Sequence, residues 1–190
     1  MILVVGILGG LAAGWIRAKV LKRPFRAIRL RYWGLVLAAF LLQLLIFSIS
    51  FRAAFLTEKA IALLFAASQF VLILFAWMNR KEPGVWLLGL GLTLNFLVIV
   101  INGGFMPISP ETVRVLNPNA PAGSWQIGNR LGKSSKDIVI ETSNTRLWFL
   151  SDRFILPGWF GNPIAFSLGD VLITLGAFCF FWSLADAENT

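Results

Sequence analysis

The chain has 190 residues, of which 57% are hydrophobic and 14% aromatic, and its formal net charge is +8. This apolar share exceeds the roughly 45–50% of an ordinary soluble domain, so the sequence predicts an integral membrane protein. It contains no histidine and one cysteine, Cys179, which removes the commonest metal ligand and any disulfide within the chain. We therefore expect no metal and no cofactor. The basic residues cluster beside apolar runs, which favours a membrane surface over nucleic acid as partner.

Five apolar runs approach the roughly 20 residues that cross a bilayer. They lie at about residues 1–18, 33–51, 60–78, 85–102 and 164–184. The first run carries its charges after the apolar residues, whereas a cleaved secretory signal carries them before, so we interpret it as a retained helix. The sequence thus predicts an all-α integral membrane protein with five transmembrane helices.

The remaining polar stretch divides the chain into three parts. Residues 1–102 would form four transmembrane helices, residues 103–163 an extracytoplasmic loop, and residues 164–190 the fifth helix with a cytoplasmic tail. Within the loop, Ser109 can cap a short helix that has Pro110 at its first position. The β-prone runs DIVIET and TRLWFL are separated by two residues, Ser143 and Asn144, which is the spacing of a β-hairpin.

Basic residues indicate the orientation of the helices. The third connection carries Arg80 and Lys81, and the first carries seven basic residues: Arg17, Lys19, Lys22, Arg23, Arg26, Arg29 and Arg31. By the positive-inside rule both connections face the cytoplasm, so the N-terminus is outside and the C-terminus inside. Five tryptophans at the predicted cytoplasmic helix ends agree: Trp15, Trp33, Trp77, Trp86 and Trp182. The seven basic residues also predict contact with anionic lipid, at about 1 kcal/mol each near the surface.

Small and polar residues inside the predicted helices suggest packing contacts. Gly6, Gly10 and Gly14 recur every four residues and form a face that another backbone can approach closely. Its partner would be another helix of this chain, another membrane protein or a second copy. The amides Gln43, Gln69 and Asn95 lie near the middles of helices two, three and four. They need hydrogen-bond partners, which would be either neighbouring helices or the lining of a polar path.

Three motifs carry a resemblance along essentially the whole chain. At NGGFMPIS (residues 102–109), TRLWFLSD (145–152) and FSLGDVLITLG (166–176) the sequence resembles a bacterial family of five-helix membrane proteins of unknown function. The resemblance implies the five-helix architecture and a location in the bacterial inner membrane. It implies no activity.

A second, local resemblance concerns two carboxylates. Asp152 followed by Arg153, and the segment from Phe166 to Asp170, look similar to the two catalytic motifs of the lipoprotein signal peptidases, which are membrane aspartyl proteases. The resemblance implies a catalytic dyad of Asp152 and Asp170, with Arg153 and Asn102 as orienting residues. The chain departs from those enzymes at Ser167, where they have asparagine.

A structural interpretation of the same acids is available. Ser167 and Asp170 have the spacing of a capping box, in which both side chains bond to the backbone at the start of the last helix. Asp152 could pair with Arg153 or Arg146, or end its predicted strand. Asn102 and the two glycines after it could end a helix.

Three functions remain open from the sequence. The leading one is a non-catalytic envelope protein, an accessory or scaffold subunit that contacts other membrane proteins or lipid. The alternative is an aspartyl membrane hydrolase that uses Asp152 and Asp170. The third is a small-molecule carrier that uses Gln43, Gln69 and Asn95.

Overall fold

The computed structural model describes residues 2–25, 27–28, 30–48, 56–121, 123–158 and 162–185. They contain six α-helices: α1 Ile2–Val20, α2 Trp33–Phe47, α3 Glu58–Met78, α4 Val85–Ile101, α5 Pro110–Leu116 and α6 Leu168–Ser183. They also contain four short strands: β1 Met106–Ile108, β2 Asp137–Val139, β3 Phe154–Leu156 and β4 Ile164–Phe166. The predicted helical character is confirmed. The last apolar run begins as strand β4, so its helix starts at Leu168.

The five long helices pack in a definite order. Helix α2 contacts α3, α3 contacts α4, α4 contacts α6, and α6 contacts α1. Helices α1 and α3 are long and apolar enough to cross a membrane, and only 22% and 28% of their apolar windows are buried. The core helix of a soluble protein would be mostly buried. Helices α2, α4 and α6 are shorter and also apolar.

Glycines set the distance between α1 and α6. Gly6, Gly10 and Gly14 are buried, and they lie against the backbone of α6. A Cβ atom added at Gly10 would lie 2.7 Å from the Phe178 carbonyl oxygen and 2.9 Å from the Phe178 Cα. Since real Cβ atoms do not approach so closely, the two helices depend on glycine here. The glycine face is thus covered by a helix of the same chain.

A second glycine contact joins α4 to α6, and the sequence analysis missed it. Gly84 and Gly91 lie seven residues apart at the start and middle of α4, and Gly169 and Gly176 lie seven apart on α6. A Cβ atom added at Gly91 would collide with the Gly169 carbonyl oxygen, and one at Gly176 with the Leu88 amide nitrogen. The spacing of seven residues returns to the same face of a helix after about two turns. Both helices therefore present a flat strip to each other.

The described residues between α4 and α6, 102–121, 123–158 and 162–167, form a small polar cap over one end of the helices. Strand β1 pairs in parallel with β2, with Met106 opposite Asp137. On its other side β1 meets Asp152, whose amide donates to the Pro107 carbonyl oxygen at 3.1 Å. Strands β3 and β4 pair antiparallel, with Phe154 opposite Phe166. The β1 and β2 strands lie on an apolar cluster that includes Ile108, Val113 and Val139.

The hairpin predicted for DIVIET and TRLWFL is wrong. Asp137–Val139 pairs with β1, while Thr142–Asn144 and Trp148–Leu150 each form one 3-10 turn. The Asn102 side chain donates to the Arg146 carbonyl oxygen at 2.9 Å and accepts from the Arg146 amide at 3.0 Å. These two bonds satisfy the backbone groups of Arg146 that a hairpin would use. Leu147 then adopts a positive φ of 50°, which is incompatible with a strand.

Candidate functional site

Lys136 and Asp152 meet across strand β1. Lys136 precedes β2 on one side of β1, where its carbonyl oxygen accepts from the Met106 amide at 3.0 Å. Asp152 lies on the other side of β1, in a parallel bridge with Ile108. The Lys136 ammonium donates to the Asp152 Oδ2 at 2.5 Å and to the Asp137 Oδ1 at 3.0 Å. The fold thus joins two residues that are 16 positions apart in sequence.

Asp152 is the most deeply buried acid of the cap, with 2% of its surface exposed. Its Oδ1 atom is buried and has no hydrogen-bond partner among the described residues. Burial raises the pKa of the Asp152 carboxyl to about 7, and Lys136 opposes this shift, while Asp137 and Asp170 add to it. Burial lowers the pKa of Lys136, but the carboxylates of Asp137 and Asp152 more than reverse that, so its pKa is raised. Lys136 is therefore a permanent cation at physiological pH.

Asp170 is held at the start of α6 by two groups. The Ser167 hydroxyl accepts from the Asp170 amide at 3.0 Å, and Asp170 Oδ2 accepts from the Ser167 amide at 3.0 Å. The predicted capping box is therefore present. Asp170 Oδ1 accepts from the Asn95 side chain at 2.9 Å, and Asn95 in turn accepts from the Ser167 hydroxyl at 2.8 Å. This three-residue network ties the start of α6 to the middle of α4.

Arg153 does not contact either carboxylate. Its guanidinium lies over the Trp148 ring at 4.2 Å and the Phe154 ring at 5.5 Å. The expected pairing of Asp152 with Arg153 or Arg146 is wrong, because the partner of Asp152 is Lys136. Asn102 ends α4 and bonds to Arg146, as described above, and so belongs to the attachment of the cap. The two supporting residues of the hypothetical dyad thus have other contacts.

The mid-helix amides differ in their contacts. The Gln43 side chain of α2 donates to the Ser68 hydroxyl of α3 at 2.9 Å, and Ser68 donates to the Phe65 carbonyl oxygen at 2.7 Å. Asn95 belongs to the network with Ser167 and Asp170. Gln69 is half-buried beside Ser68. Gln43 and Asn95 thus make hydrogen bonds between helices of the kind that fix helix register, worth ~0.6 kcal/mol on average in membranes.

Basic and aromatic side chains pair at the end of the helices opposite the cap. Lys19 lies 3.7 Å from the Trp15 ring centre, Arg17 5.1 Å from that of Trp182, and Arg80 4.3 Å from that of Trp77. Lys22, Arg23 and Arg31 are exposed, whereas Arg26 and Arg29 lie outside the described residues. Arg31 also bonds to the buried Asn79, which accepts from the Arg31 amide at 2.8 Å. Cations over exposed indole rings suit a polar to apolar boundary.

Comparison with known proteins places the chain in a family. A profile described as "Family of unknown function (DUF5317)" matches residues 27–182. The chain belongs to the DUF5317 family. The expected resemblance to a family of unknown function is thus confirmed. This DUF5317 chain is also similar to an uncharacterized protein of Thermotoga maritima. The two are 28% identical over 144 residues, which cover 73% of each chain. No solved structure matches it.

Sequence reasoning missed Lys136, which forms ion pairs with both Asp137 and Asp152. It stands in a short basic run, NRLGKSSK, and nothing in the spacing of that run distinguishes it from Lys133. The adjacent Asp137 offers a local partner, which hides the longer contact with Asp152. The one sequence feature that points to Lys136 is its position directly before a short β-prone run. It becomes informative only when the partner strand is known.

The cap cluster has a clear chemical character. One ammonium group and the two carboxylates of Asp137 and Asp152 form a local ion-pair network, with Asp170 near enough to act on it electrostatically. An aspartyl dyad requires two carboxylates that share one proton. Here the ammonium of Lys136 takes the place of that proton at Asp152, and the two oxygens of Asp170 bond to Ser167 and Asn95. The ion pairs join the segments on the two sides of β1, and the contacts of Asp170 join α6 to α4.

Proposed function

We propose that this protein is a non-catalytic, multi-pass protein of the bacterial inner membrane that acts as an accessory or scaffold subunit. Helices α1, α2, α3, α4 and α6 span the membrane, with the N-terminus outside and the C-terminus inside. The cap lies outside, and the basic residues between α1 and α2 contact anionic lipid of the cytoplasmic leaflet. Residues 1–102, 103–163 and 164–190 are then the four-helix part, the extracytoplasmic loop and the fifth helix with its tail.

The membrane location is supported by the surface of the helices. Apolar side chains that would be buried in a soluble domain face outward, as at Val5, Leu63 and Phe70, which are 65%, 71% and 56% exposed. A soluble monomer rarely exposes such contiguous apolar surface. In the hydrocarbon of a membrane, outward-facing apolar side chains are not exposed to water, so their exposure has no free-energy cost. The exposed tryptophans and cations at the end opposite the cap match the composition of a membrane interface.

One observation carries the non-catalytic role: both candidate catalytic acids are used in structural contacts. Asp152 is paired with Lys136, and Asp170 serves as the capping residue of α6 and as the partner of Asn95. Both acids thus serve structural contacts: Asp152 holds the Lys136 ammonium through Oδ2, and both oxygens of Asp170 are hydrogen-bonded. The polar groups of the cap and of α4 instead fix the position of the cap, which supports a role in presenting a surface.

Impermeant labelling of single cysteines tests the orientation. In a Cys179→Ser background, Ser134→Cys places a thiol on the exposed surface of the cap, and Lys81→Cys places one at the opposite end of the helices. In intact cells we expect a membrane-impermeant maleimide to label Ser134→Cys and to leave Lys81→Cys unlabelled. Both should react after the membrane is opened. Labelling of Lys81→Cys in intact cells would contradict the proposed orientation.

An aspartyl membrane hydrolase remains the second candidate, and one observation favours it. Asp152 Oδ1 is buried without a partner, and the carboxyl pKa is raised to about 7, mainly by burial. Catalytic acids are often tuned in this way. Asp170 is near enough to raise that pKa further. A hydrolase would require Asp170 to leave Asn95 and share a proton with Asp152.

Replacing both acids separates the two candidates. We expect the double variant Asp152→Asn/Asp170→Asn to complement a deletion strain as well as the wild type does, once membrane levels are matched. Asparagine retains the size of each side chain but also removes the charge that pairs with Lys136, which is why membrane levels have to be matched. Asp137→Asn, which changes a partly buried acid of the same cluster, is the matched control. Loss of complementation in the double variant alone, at equal protein level, would favour the hydrolase.

A further inference from the structure

A cavity of about 480 Å³ opens at the cap end of the helices, beside the start of α3. Its walls come from Glu58 and Lys59 of α3, from Phe105 after α4, and from the loop that carries Arg130 and Lys133. The Lys136 and Asp152 cluster does not line it. It is therefore a separate feature of the cap.

The cavity is lined by more cations than acids. Among its described lining residues, Lys59, Arg130 and Lys133 are cationic and Glu58 is acidic. Glu58 pairs with Arg130 at 3.1 Å. Neither Lys59 nor Lys133 has an ion-pair partner among the described residues, and both are exposed. Within the part of the chain that the structure describes, two positive charges of the cavity lining therefore have no ion-pair partner.

Arg130 is a fixed cation, in contrast to the two lysines. Its side chain is 7% exposed, and the guanidinium lies 4.8 Å from the Phe105 ring centre and 5.4 Å from that of Phe47. It donates to the Lys133 carbonyl oxygen at 2.9 Å and to the Ser135 carbonyl oxygen. These contacts hold the loop of Lys133 next to α3. Lys59 and Lys133 thus face one cavity from two different elements.

The cavity also has room for a ligand. Gly103, Gly128 and Gly132 form part of its wall, and a Cβ atom added at any of them would meet no atom within 4 Å. Phe105, Ala62 and Ile138 supply apolar wall next to the charged mouth. An apolar wall next to the two ammonium groups of Lys59 and Lys133 suits a ligand that is anionic at one end.

We propose that this cavity binds a phosphate-bearing anion, with Lys59 and Lys133 as the two ammonium donors and Arg130 as the fixed positive charge. Phosphate oxygens form strong, charge-assisted hydrogen bonds with lysine and arginine. Two sources share this chemistry: the headgroup of an anionic phospholipid and a soluble phosphate compound. The lipid source rests on the proposed membrane location, whereas the anion site itself does not.

Thermal unfolding of the full chain in neutral detergent tests the site. The protein is titrated with inorganic phosphate at constant ionic strength, and its melting is followed by the fluorescence of its eight tryptophans. A parallel series replaces phosphate by micelles that contain phosphatidylglycerol or phosphatidylcholine. Whichever of phosphate or phosphatidylglycerol stabilises the wild type, we expect the double variant Lys59→Gln/Lys133→Gln to bind it about 25-fold more weakly. This corresponds to about fivefold for each lysine.

Two control variants separate a specific site from general charge. Lys22→Gln/Lys81→Gln removes the same charge at the opposite end of the helices and should respond to phosphate like the wild type. Lys59→Arg/Lys133→Arg keeps the charge and should retain most of the response in both series.

Each outcome decides the proposal. Stabilisation by phosphate that is lost in the glutamine variant of the cavity supports a soluble phosphate ligand. Stabilisation by phosphatidylglycerol alone, lost in the same variant, supports a lipid headgroup. The proposal is overturned if neither probe stabilises the wild type, or if the cavity variant and the wild type respond equally. A failure of the orientation experiment would leave the phosphate series unaffected.

Discussion

Replacing Lys136 by methionine is expected to lower the free energy of unfolding by about 2–3 kcal/mol at pH 8. The change leaves the carboxylate of Asp152, which is 2% exposed, without its cation. Breaking a fully buried pair costs ~3–5 kcal/mol. The loss should be smaller here because the Lys136 side chain is 43% exposed. Thermal unfolding in detergent measures the effect, with Lys133→Met as a control at a neighbouring lysine that has no ion pair with any described residue.

The loss should depend on pH in a defined direction. Burial raises the folded-state pKa of Asp152 above its usual value of 3.8, so the folded protein keeps the carboxyl proton to higher pH than the unfolded chain does. The contribution of protonated Asp152 to the free energy of unfolding is fully present below the usual pKa. It is lost as the pH rises through the folded-state pKa. Without Lys136 that pKa rises further, since Lys136 lowers it. The variant should therefore lose less stability at pH 5 than at pH 8.

A double variant completes the test. Lys136→Met/Asp152→Asn carries no buried charge at this position and should recover most of the lost stability at pH 8. Equal losses for Lys136→Met at pH 5 and pH 8, or a loss no larger than that of Lys133→Met, would show that the ion pair does not stabilise the fold.

Substituting Gly10 by alanine is the second change with a large expected effect. The added Cβ would lie 2.7 Å from the Phe178 carbonyl oxygen, which belongs to the backbone of α6 and cannot rotate away. Overpacking of this kind costs typically ~1–3 kcal/mol, and it outweighs the gain of up to ~1 kcal/mol that alanine brings to a helix. We expect a net loss of about 1–2 kcal/mol, measured by thermal unfolding or by titration with a denaturing detergent.

The neighbouring Gly9 offers a matched control. A Cβ atom added at Gly9 would lie 3.7 Å from the Phe178 ring, which is an ordinary contact distance. Gly9→Ala should therefore leave stability unchanged or raise it by up to ~1 kcal/mol through helix propensity. If the two alanine variants behaved alike, α1 would not depend on close approach to α6.

The sequence predicted what local physics determines. The apolar runs form helices because an α-helix satisfies the backbone hydrogen bonds of a segment within that segment. The capping box at Ser167 and Asp170 was predictable because its two residues are three positions apart. The short helix after Ser109 was predictable for the same reason.

Contacts between distant segments were not predictable from this sequence. The parallel pairing of β1 with β2 joins three-residue strands separated by a long loop, and so short a strand has no distinctive pattern. The pairing of Lys136 with Asp152 follows from that strand pairing. The partner of Asn95 was missed because Asp170 is 75 residues away, although both residues stood out separately.

The packing of α1 on α6 sets the order in which the molecule can be completed. Helix α1 has its glycine face against α6, so residues 21–167 must be synthesised before that face finds its place. Until α6 has been synthesised, the glycine face of α1 is uncovered and has the shape to pack closely against another helix. Insertion of α6 between α1 and α4, where glycine strips lie on both sides of it, then forms both contacts.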